Sequence, residues 1–507
     1  MAQKIIEHRR DSHYVFCVVT VFVYRYFKKE RILLIQKRIR RYKLKKSQHT
    51  CNTIYKGFLI EPAIRNFFTG RIWQRNHTPF PKAKIDAYIQ RGYFEVVPAV
   101  IVKPKLSCRR CHNEVKQKFV AFHCAKCSAT CYYCRHCITM GRMCSCDKLL
   151  LWKHHAPPLA QPTPRFSWSG QLTPQQAKAA QQLTESLNQN RNHLVSAVCG
   201  AGKTEILFAA IYQALLQRKR VCVATPRTDV VLELFPRFQQ VFQNTIIHAY
   251  YGNAPAQLGF AQLVLATTHQ LYRFENAFDV MIVDEADAFP YTFDEALQRA
   301  VFKAKTAVAP IAFVTATPSA KLLFQQAKEN WGYSFIARRF HGFPLPVPKF
   351  QALWNYKKAF HKGKIPEKLL RWLHIRLQQN EPFLIFFPTI DLMEIATPLF
   401  QQLEPTIESV HAEDPNRKEK VLQLRNEERK GLLTTTILER GITIKNVQVA
   451  VVGAENTVFT SSALIQISGR VGRNVHFPDG DITFFHHGIT LEMDMARKKI
   501  LEMNRHE

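Results

Sequence analysis

The sequence predicts an α/β chain of two parallel-sheet lobes preceded by a small cysteine-rich module. Three observations carry that expectation. From residue 172 onward, short β-branched and apolar runs alternate with helical stretches in two successive series. That is the pattern of parallel strands covered on both faces by helices. The string AVCGAGKTE at residues 197–205 joins one of these runs to a helix start through a glycine-rich turn. Nine of the 13 cysteines fall within residues 108–146, ahead of both series. At 507 residues the chain also exceeds what one hydrophobic core organises.

Taken in order, residues 1–50 form a basic head with 14 Lys/Arg against 3 Asp/Glu. Its apolar run at 14–24 has 11 residues, short of the roughly 20 that span a bilayer. A basic stretch at 28–46 follows where a secretory signal would carry a cleavage site. The head fits a buried strand, a membrane-surface anchor or an upstream extension alike. The whole chain carries a net charge of +32, and without the head 57 basic and 36 acidic residues still leave +21. A balance of that size points to a polyanionic partner, either nucleic acid or an anionic membrane surface.

Residues 51–107 are an N-terminal region of apolar and aromatic residues with no recognisable chemistry. The cysteine module follows at 108–150. Cys108 and Cys111 form one CxxC knuckle, Cys124 and Cys127 another, with twelve residues between them. This is the spacing of a four-thiolate zinc site, with iron–sulfur as the lesser alternative. Cys131, Cys134, Cys137, Cys144 and Cys146 remain. Cys131, Cys134, Cys144 and Cys146 make a candidate second zinc site with His136 to spare, although the spacing permits several quartets. Four thiolates leave no open coordination position, so the expected role is structural. The window 103–148 has ten Lys/Arg against two acids, which suits a nucleic-acid grip or a protein-docking surface.

Residues 151–170 hold the prolines of a linker. The first lobe is expected over 171–342, with strands at 194–198, 220–224, 263–266, 280–283 and 312–315. A break at Pro344, Pro346 and Pro348 opens the second lobe, 343–507, with strands at 383–387, 431–435, 447–452 and 481–485. In the first lobe, Gly200, Ala201 and Gly202 present backbone N–H groups at a helix N-terminus, a ready phosphate cradle. Lys203 reaches the β- and γ-phosphates of ATP and the Thr204 hydroxyl ligates Mg²⁺. Ala197 stands where the P-loop pattern has its first glycine. Asp284 ends an apolar strand, where ligands gather in open α/β sheets, and is placed to hold Mg²⁺. Glu285 is placed to orient the attacking water. Thr315, Ala316 and Thr317 end the next strand, placed to couple nucleotide state to strand grip. In the second lobe, Arg470 and Arg473 are expected on one helix face, supplying positive charge to the transferring phosphoryl group.

Together these residues resemble the superfamily-2 helicases and, more narrowly, the ComFA family of competence ATPases from transformable Gram-positive bacteria. The matching strings are YYCRHCITMGR at 132–142, LTPQQ at 172–176, TPR at 225–227, TTHQL at 267–271, DEAD at 284–287, TTTILERGIT at 434–443 and QISGRVGR at 466–473. The resemblance covers residues 108–486 and implies two RecA-like lobes. It implies an ATP-driven translocase of single-stranded DNA during uptake, cytoplasmic and working at the inner face of the cell membrane. Its partners would be the membrane DNA channel and a ComFC-like phosphoribosyltransferase-fold protein, with a homo-oligomer also in view. Lys203, Thr204, Asp284, Glu285, Arg470 and Arg473 would carry hydrolysis, and Gln176 and Glu205 would join the nucleotide site. Thr225, Arg227, Thr267, Thr268 and Thr434 would touch the strand backbone. The nearest rival is a primosomal restart helicase, whose zinc cysteines lie within the second lobe. A DEAD-box RNA helicase lacks the zinc module, and a scaffold with a dead nucleotide fold would have lost some of the hydrolysis residues.

Overall fold

The computed structural model describes residues 60–153, 163–439 and 444–505. The basic head therefore lies outside the described residues, as do residues 154–162 of the proline-bearing linker.

The first lobe is a seven-stranded, all-parallel sheet. Across it the strands run Ile247–Tyr250, Leu263–Thr267, Val221–Thr225, Val280–Asp284, Ile311–Thr315, His193–Ala197 and Gly332–Ile336. Its central strands are apolar on both faces, as a doubly covered sheet requires. On one face Val195, Val223, Leu265 and Ile282 pack under the helices Pro174–Asn188, Lys203–Leu216 and Thr228–Val241. On the other, Leu194, Cys222, Val264, Met281 and Phe313 pack with the helix Glu295–Ala304 and the turn Thr268–Arg273.

That second apolar cluster continues without a break into the N-terminal region through Ile72, Ala99, Val100, Phe119 and Leu149. The region's scaffold is a three-stranded antiparallel sheet in which Lys148–Trp152 lies between Ile72–Gln74 and Phe94–Pro98. Because the central strand follows the cysteines in sequence, the cysteine-bearing turns are an excursion from this sheet. Buried arginines pin it to the first lobe. Arg71 donates to the Tyr250 hydroxyl and the Gln257 carbonyl, and Arg220 reaches the Thr69 carbonyl.

The second lobe is a six-stranded parallel sheet in the order Lys349–Ala352, Ile482–His486, Gln448–Val452, Phe383–Phe386, Gly431–Thr434 and Glu408–Val410. The strands expected from the sequence are all present within a residue or two of their expected bounds. Four further strands, Ile247–Tyr250, Gly332–Ile336, Lys349–Ala352 and Glu408–Val410, complete the sheets. Among the described residues no helix is long and apolar enough to cross a membrane.

Candidate ATP site and metal centres

Strand His193–Ala197 delivers the chain to a turn in which Gly200 and Gly202 have φ of +81° and +70°. Left-handed backbone is open to glycine at little cost, so the loop can curl its N–H groups inward. A Cβ on Gly202 would stand 2.3 Å from the Gln176 side-chain nitrogen, a second reason for glycine there. Lys203 and Thr204 open the helix Lys203–Leu216. Gln176 sits beneath the loop: it closes a capping box with Thr173, and its Nε2 donates to the Ala201 carbonyl at 2.8 Å. Glu205 leans on Arg237 in an ion pair.

Asp284 ends strand Val280–Asp284 and is buried. Burial, then the neighbouring Glu285 carboxylate, pushes its pKa up to about 6, with Lys203 pulling the other way. A buried acid at the carboxyl end of a strand, beside a lysine and a second acid, is a candidate ligand for a cation. Glu285 holds left-handed backbone at φ +53°, and its Oε2 is buried with no hydrogen-bond partner among the described residues. Strained backbone and an unpaired carboxylate oxygen together mark a group kept for a ligand.

The second lobe completes the cleft. Lys203, Thr204, Asp284, Glu285, Arg470 and Arg473 all line one cavity between the lobes, of about 280 Å³. The expectation of a shared helix face for the arginines is corrected. The helix Ser461–Ser468 ends before either, and both sit on the following turn, where Gly472 takes φ +69°. A glycine on each side of Arg470 and Val471 breaks the helix and lets the turn approach the phosphate loop. A Cβ on Gly469 would meet the Cys199 Cβ at 2.4 Å. Burial first, then Arg473, lowers the Arg470 pKa well below the usual guanidinium value. Two such cations in one cleft call for an anion between them.

Other interlobe contacts were not anticipated. Cys199 Sγ donates to Gln466 Oε1 at 2.9 Å, Gln466 Nε2 reaches Asp287, and Asp287 accepts from Thr317 Oγ1 at 2.5 Å. Thr317 Oγ1 also lies 2.6 Å from Ser462 Oγ. The DEAD string, the TAT string and the helix before the arginines thus form one hydrogen-bonded chain across the cleft. Arg339, fully buried beyond the last strand of the first lobe, donates to the Val471 and Gly472 carbonyls, while Phe340 N–H donates to Gly200 O at 3.0 Å. One segment therefore holds the phosphate loop and the arginine turn together. A lone Arg outside any motif gave no sequence signal; only its burial reveals it.

Of the residues expected on the strand path, Thr225, Thr267 and Thr434 end parallel strands and Thr268 follows directly. All four are buried. The hydroxyls of Thr225 and Thr268 have no hydrogen-bond partner among the described residues. Thr434 Oγ1 donates to the Val410 carbonyl, and Arg227 donates across the lobes to the Ile437 carbonyl at 2.6 Å.

The cysteines correct the expected quartets. Cys108 and Cys111 join Cys134 and Cys137, and Cys124 and Cys127 join Cys131 and Cys146, with the four sulfurs of each set within 4.8 Å of one another. The expected partnership of Cys108 and Cys111 with Cys124 and Cys127 does not form, and Cys144 belongs to neither set. The reason is the hairpin Phe119–Cys124 with Ala129–Cys134, whose register sets Phe119 against Cys134 and Cys124 against Ala129. It carries the sulfurs of Cys124 and Cys134 to opposite ends. Each quartet has the donors for one metal ion. Tetrahedral thiolates about 2.3 Å from zinc stand about 3.8 Å apart. The Cys108–Cys137 and Cys111–Cys134 sulfurs are 3.8 and 3.7 Å apart. In the other set, Cys124–Cys146 and Cys127–Cys131 are 3.9 and 3.3 Å apart. Arg110, buried, donates to Cys137 Sγ at 3.0 Å and so offsets thiolate charge. His136, spare in both readings, instead faces Asp294 of the first lobe at 3.2 Å.

Two parallel α/β lobes meeting over a phosphate loop, an acidic pair and an arginine turn define a helicase-like ATPase. Residues 52–151 match the competence protein ComFA N-terminal domain, 169–320 the type III restriction enzyme res subunit, and 364–475 the helicase conserved C-terminal domain. The chain is 41% identical over 431 residues to competence protein ComFA of Bacillus subtilis (strain 168), covering 85% of this chain and 92% of that one. It is 36% identical to competence protein ComFA of Streptococcus pneumoniae (strain ATCC BAA-255 / R6), covering 82% and 94%. The solved structure of S. cerevisiae Dbp5 bound to RNA and ADP BeF3 aligns with a TM-score of 0.48 at 14% identity, over 66% of this chain and 92% of that chain. The chain belongs to the ComFA family of competence proteins. It is an ATP-hydrolysing, helicase-like enzyme whose helicase domains imply ATP and Mg²⁺.

Proposed function

We propose that this chain is an ATP-driven translocase of single-stranded DNA that drives DNA uptake in natural transformation, working at the inner face of the cell membrane. The observation that carries the reading is the convergence of Lys203, Asp284, Glu285, Arg470 and Arg473 on one cleft between the lobes. A site shared between lobes ties nucleotide state to lobe spacing, which is what a strand-pulling machine requires. In this reading Lys203 and the loop N–H groups bind the phosphates, and Thr204 and Asp284 hold Mg²⁺, which neutralises charge on the transferring group. Glu285 orients water, and Arg470 and Arg473 stabilise the transition state. Thr225, Arg227, Thr267, Thr268 and Thr434 follow the strand backbone as the lobes open and close. Zinc in both cysteine quartets fixes the module on the first lobe. Family membership supports the place in DNA uptake, and with it a ComFC-like partner and the membrane channel. The charge of +32 supports the polyanionic track.

The test is ATP hydrolysis by the purified chain, alone and with single-stranded DNA, double-stranded DNA or RNA. Stimulation by single-stranded DNA above the others is expected. Stimulation chiefly by forked duplex would favour a primosomal-type restart helicase, and no turnover with any nucleic acid would reject a motor. Lys203→Ala should abolish turnover with an unchanged melting temperature.

A further inference from the structure

We propose that Phe289 and Phe293 form a base-stacking platform for a single nucleic-acid strand, in a groove between the first lobe and the cysteine module. The inference rests on the reading above that the chain moves along single-stranded DNA, and it adds a contact site outside the strings that suggested that reading.

The two rings are 74% and 78% exposed, and their centroids lie 6.4 Å apart. Burying one such ring is worth about 1.5–3 kcal/mol, so two on neighbouring turns of an ordered loop are a standing cost without a partner. The loop between them is not slack. Ala288 N–H donates to the Glu285 carbonyl at 2.8 Å, and Thr292 Oγ1 donates to the Ala288 carbonyl at 3.2 Å. Gln298 Nε2 donates to the Tyr291 and Thr292 carbonyls, Tyr291 is buried, and Asp294 caps the next helix through Ala296 N–H. The backbone is anchored and the rings are turned outward from it.

The facing wall belongs to the cysteine module: Val115, Lys118 and His136, with Arg299 beside them, enclose about 380 Å³ with the two rings. The groove's acids are already engaged. Asp294 meets His136 at 3.2 Å and Glu295 meets Arg299 at 3.3 Å, while Lys118 has no ion pair among the described residues. Around it, residues 103–148 hold ten Lys/Arg against two acids. Aromatic faces beside unspent positive charge match the two surfaces of an unpaired strand, bases and phosphates. A duplex hides its base faces and would not fill the platform. The helix Glu295–Ala304, whose first turns line the groove, packs on the turn Thr268–Arg273, which begins at the expected strand-path residue Thr268. The loop is joined to the chemistry as well. It leaves directly from Glu285, and Ala286 N–H donates to Val314 O at 3.1 Å, next to Thr315. A strand seated on the rings therefore acts on the segment that positions Glu285.

The test is fluorescence anisotropy of the full chain with labelled oligo-dT, without nucleotide. Phe289→Ala/Phe293→Ala should weaken binding about tenfold to 100-fold, the loss expected for one or two stacked bases. Phe289→Tyr/Phe293→Trp should restore it, which separates stacking from folding. Lys118→Ala should flatten the slope of log affinity against log salt by about 0.7, one phosphate contact on a single strand. An alanine pair that binds oligo-dT as tightly as the parent overturns the platform and assigns the surface to another class of partner. A parent chain that binds no oligo-dT overturns the platform and the translocase reading together.

Discussion

Replacing Cys137 or Cys144 with serine distinguishes two wirings of the cysteine module. In the folded hairpin Cys137 closes the quartet of Cys108, Cys111 and Cys134, and Cys144 closes none. Sulfur separations of 3.7–3.9 Å match the tetrahedral edge of about 3.8 Å for three of the four pairs, so the intact chain should carry two zinc ions. Structural zinc contributes on the order of 10–16 kcal/mol in small thiolate sites, and three thiolates without the fourth lose most of that preference. Cys137→Ser should therefore hold about one zinc per chain, and Cys144→Ser about two. The two sites should also differ in lability. All four cysteines of the Cys137 set are buried, whereas Cys127 in the other is exposed. A chromogenic chelator should draw out one equivalent quickly, and the second only as the fold opens. Elemental analysis and chelator release measure both quantities. If Cys144→Ser loses a zinc while Cys137→Ser keeps both, the interleaved wiring is wrong and the pairing first suggested by CxxC spacing returns.

Three further outcomes follow from the cleft. Gly469→Ala places a Cβ 2.4 Å from that of Cys199, about 1 Å inside normal contact; turnover should fall about 100-fold, and Cys199→Gly should recover it if the clash is the cause. Arg339→Ala removes the one nitrogen, Nη1, that donates to both the Val471 and Gly472 carbonyls, so kcat should fall about tenfold with KM for ATP nearly unchanged; an unaltered kcat would remove Arg339 as a positioning residue. Asp284 is raised to about 6, so at sub-saturating Mg²⁺ kcat/KM should drop about tenfold per pH unit below that value. In the metal-free chain the sign for stability is opposite, since the buried acid takes up a proton as pH falls through about 6 and stabilises the fold. A pH–rate profile flat down to about pH 5 would refute the Asp284 assignment.

What the sequence disclosed follows from where each signal is local. Phosphate loops, acids at strand ends and GxxG turns are short strings whose chemistry lies within a few residues, so the cleft residues could be named in advance. Interior strands were equally legible because burial on both faces leaves a continuous apolar run. The four strands that went unread are the four sheet edges. Glu408–Val410 and Lys349–Ala352 are three or four residues long and begin on a charge, and Gly332–Ile336 alternates buried with exposed residues. In Gly332–Ile336 one-sided burial removes the run that makes a strand visible, whereas Ile247–Tyr250 is buried throughout but is only four residues long and broken by His248. Cysteine pairing and Arg339 were hidden for another reason. CxxC spacing says which sulfurs share a turn, but hairpin register decides which turns meet, and register is a tertiary fact.

The cysteine quartets are also tied to the first lobe. An ordinary doubly wound sheet carries helices of its own chain segment on both faces. Here Glu295–Ala304 and the turn Thr268–Arg273 cover the second face of the first lobe, and the N-terminal sheet extends their apolar cluster outward. Arg109 pairs with Glu275 at 2.6 Å, and the half-buried Lys303 ammonium donates to the Arg110 carbonyl at 2.6 Å and to Tyr272 O at 2.9 Å. Arg110 in turn reaches Cys137 Sγ. A half-buried lysine that donates to carbonyls on two segments ties them together, because losing either leaves part of its charge without compensation. Disorder in the Cys137 quartet would therefore pass through Arg110 and Lys303 to Tyr272, on the turn that carries Thr268. The cysteine module is thus packed into the wall along which the strand is expected to run, so a zinc ion that ordered the Cys137 quartet would have a direct route to activity.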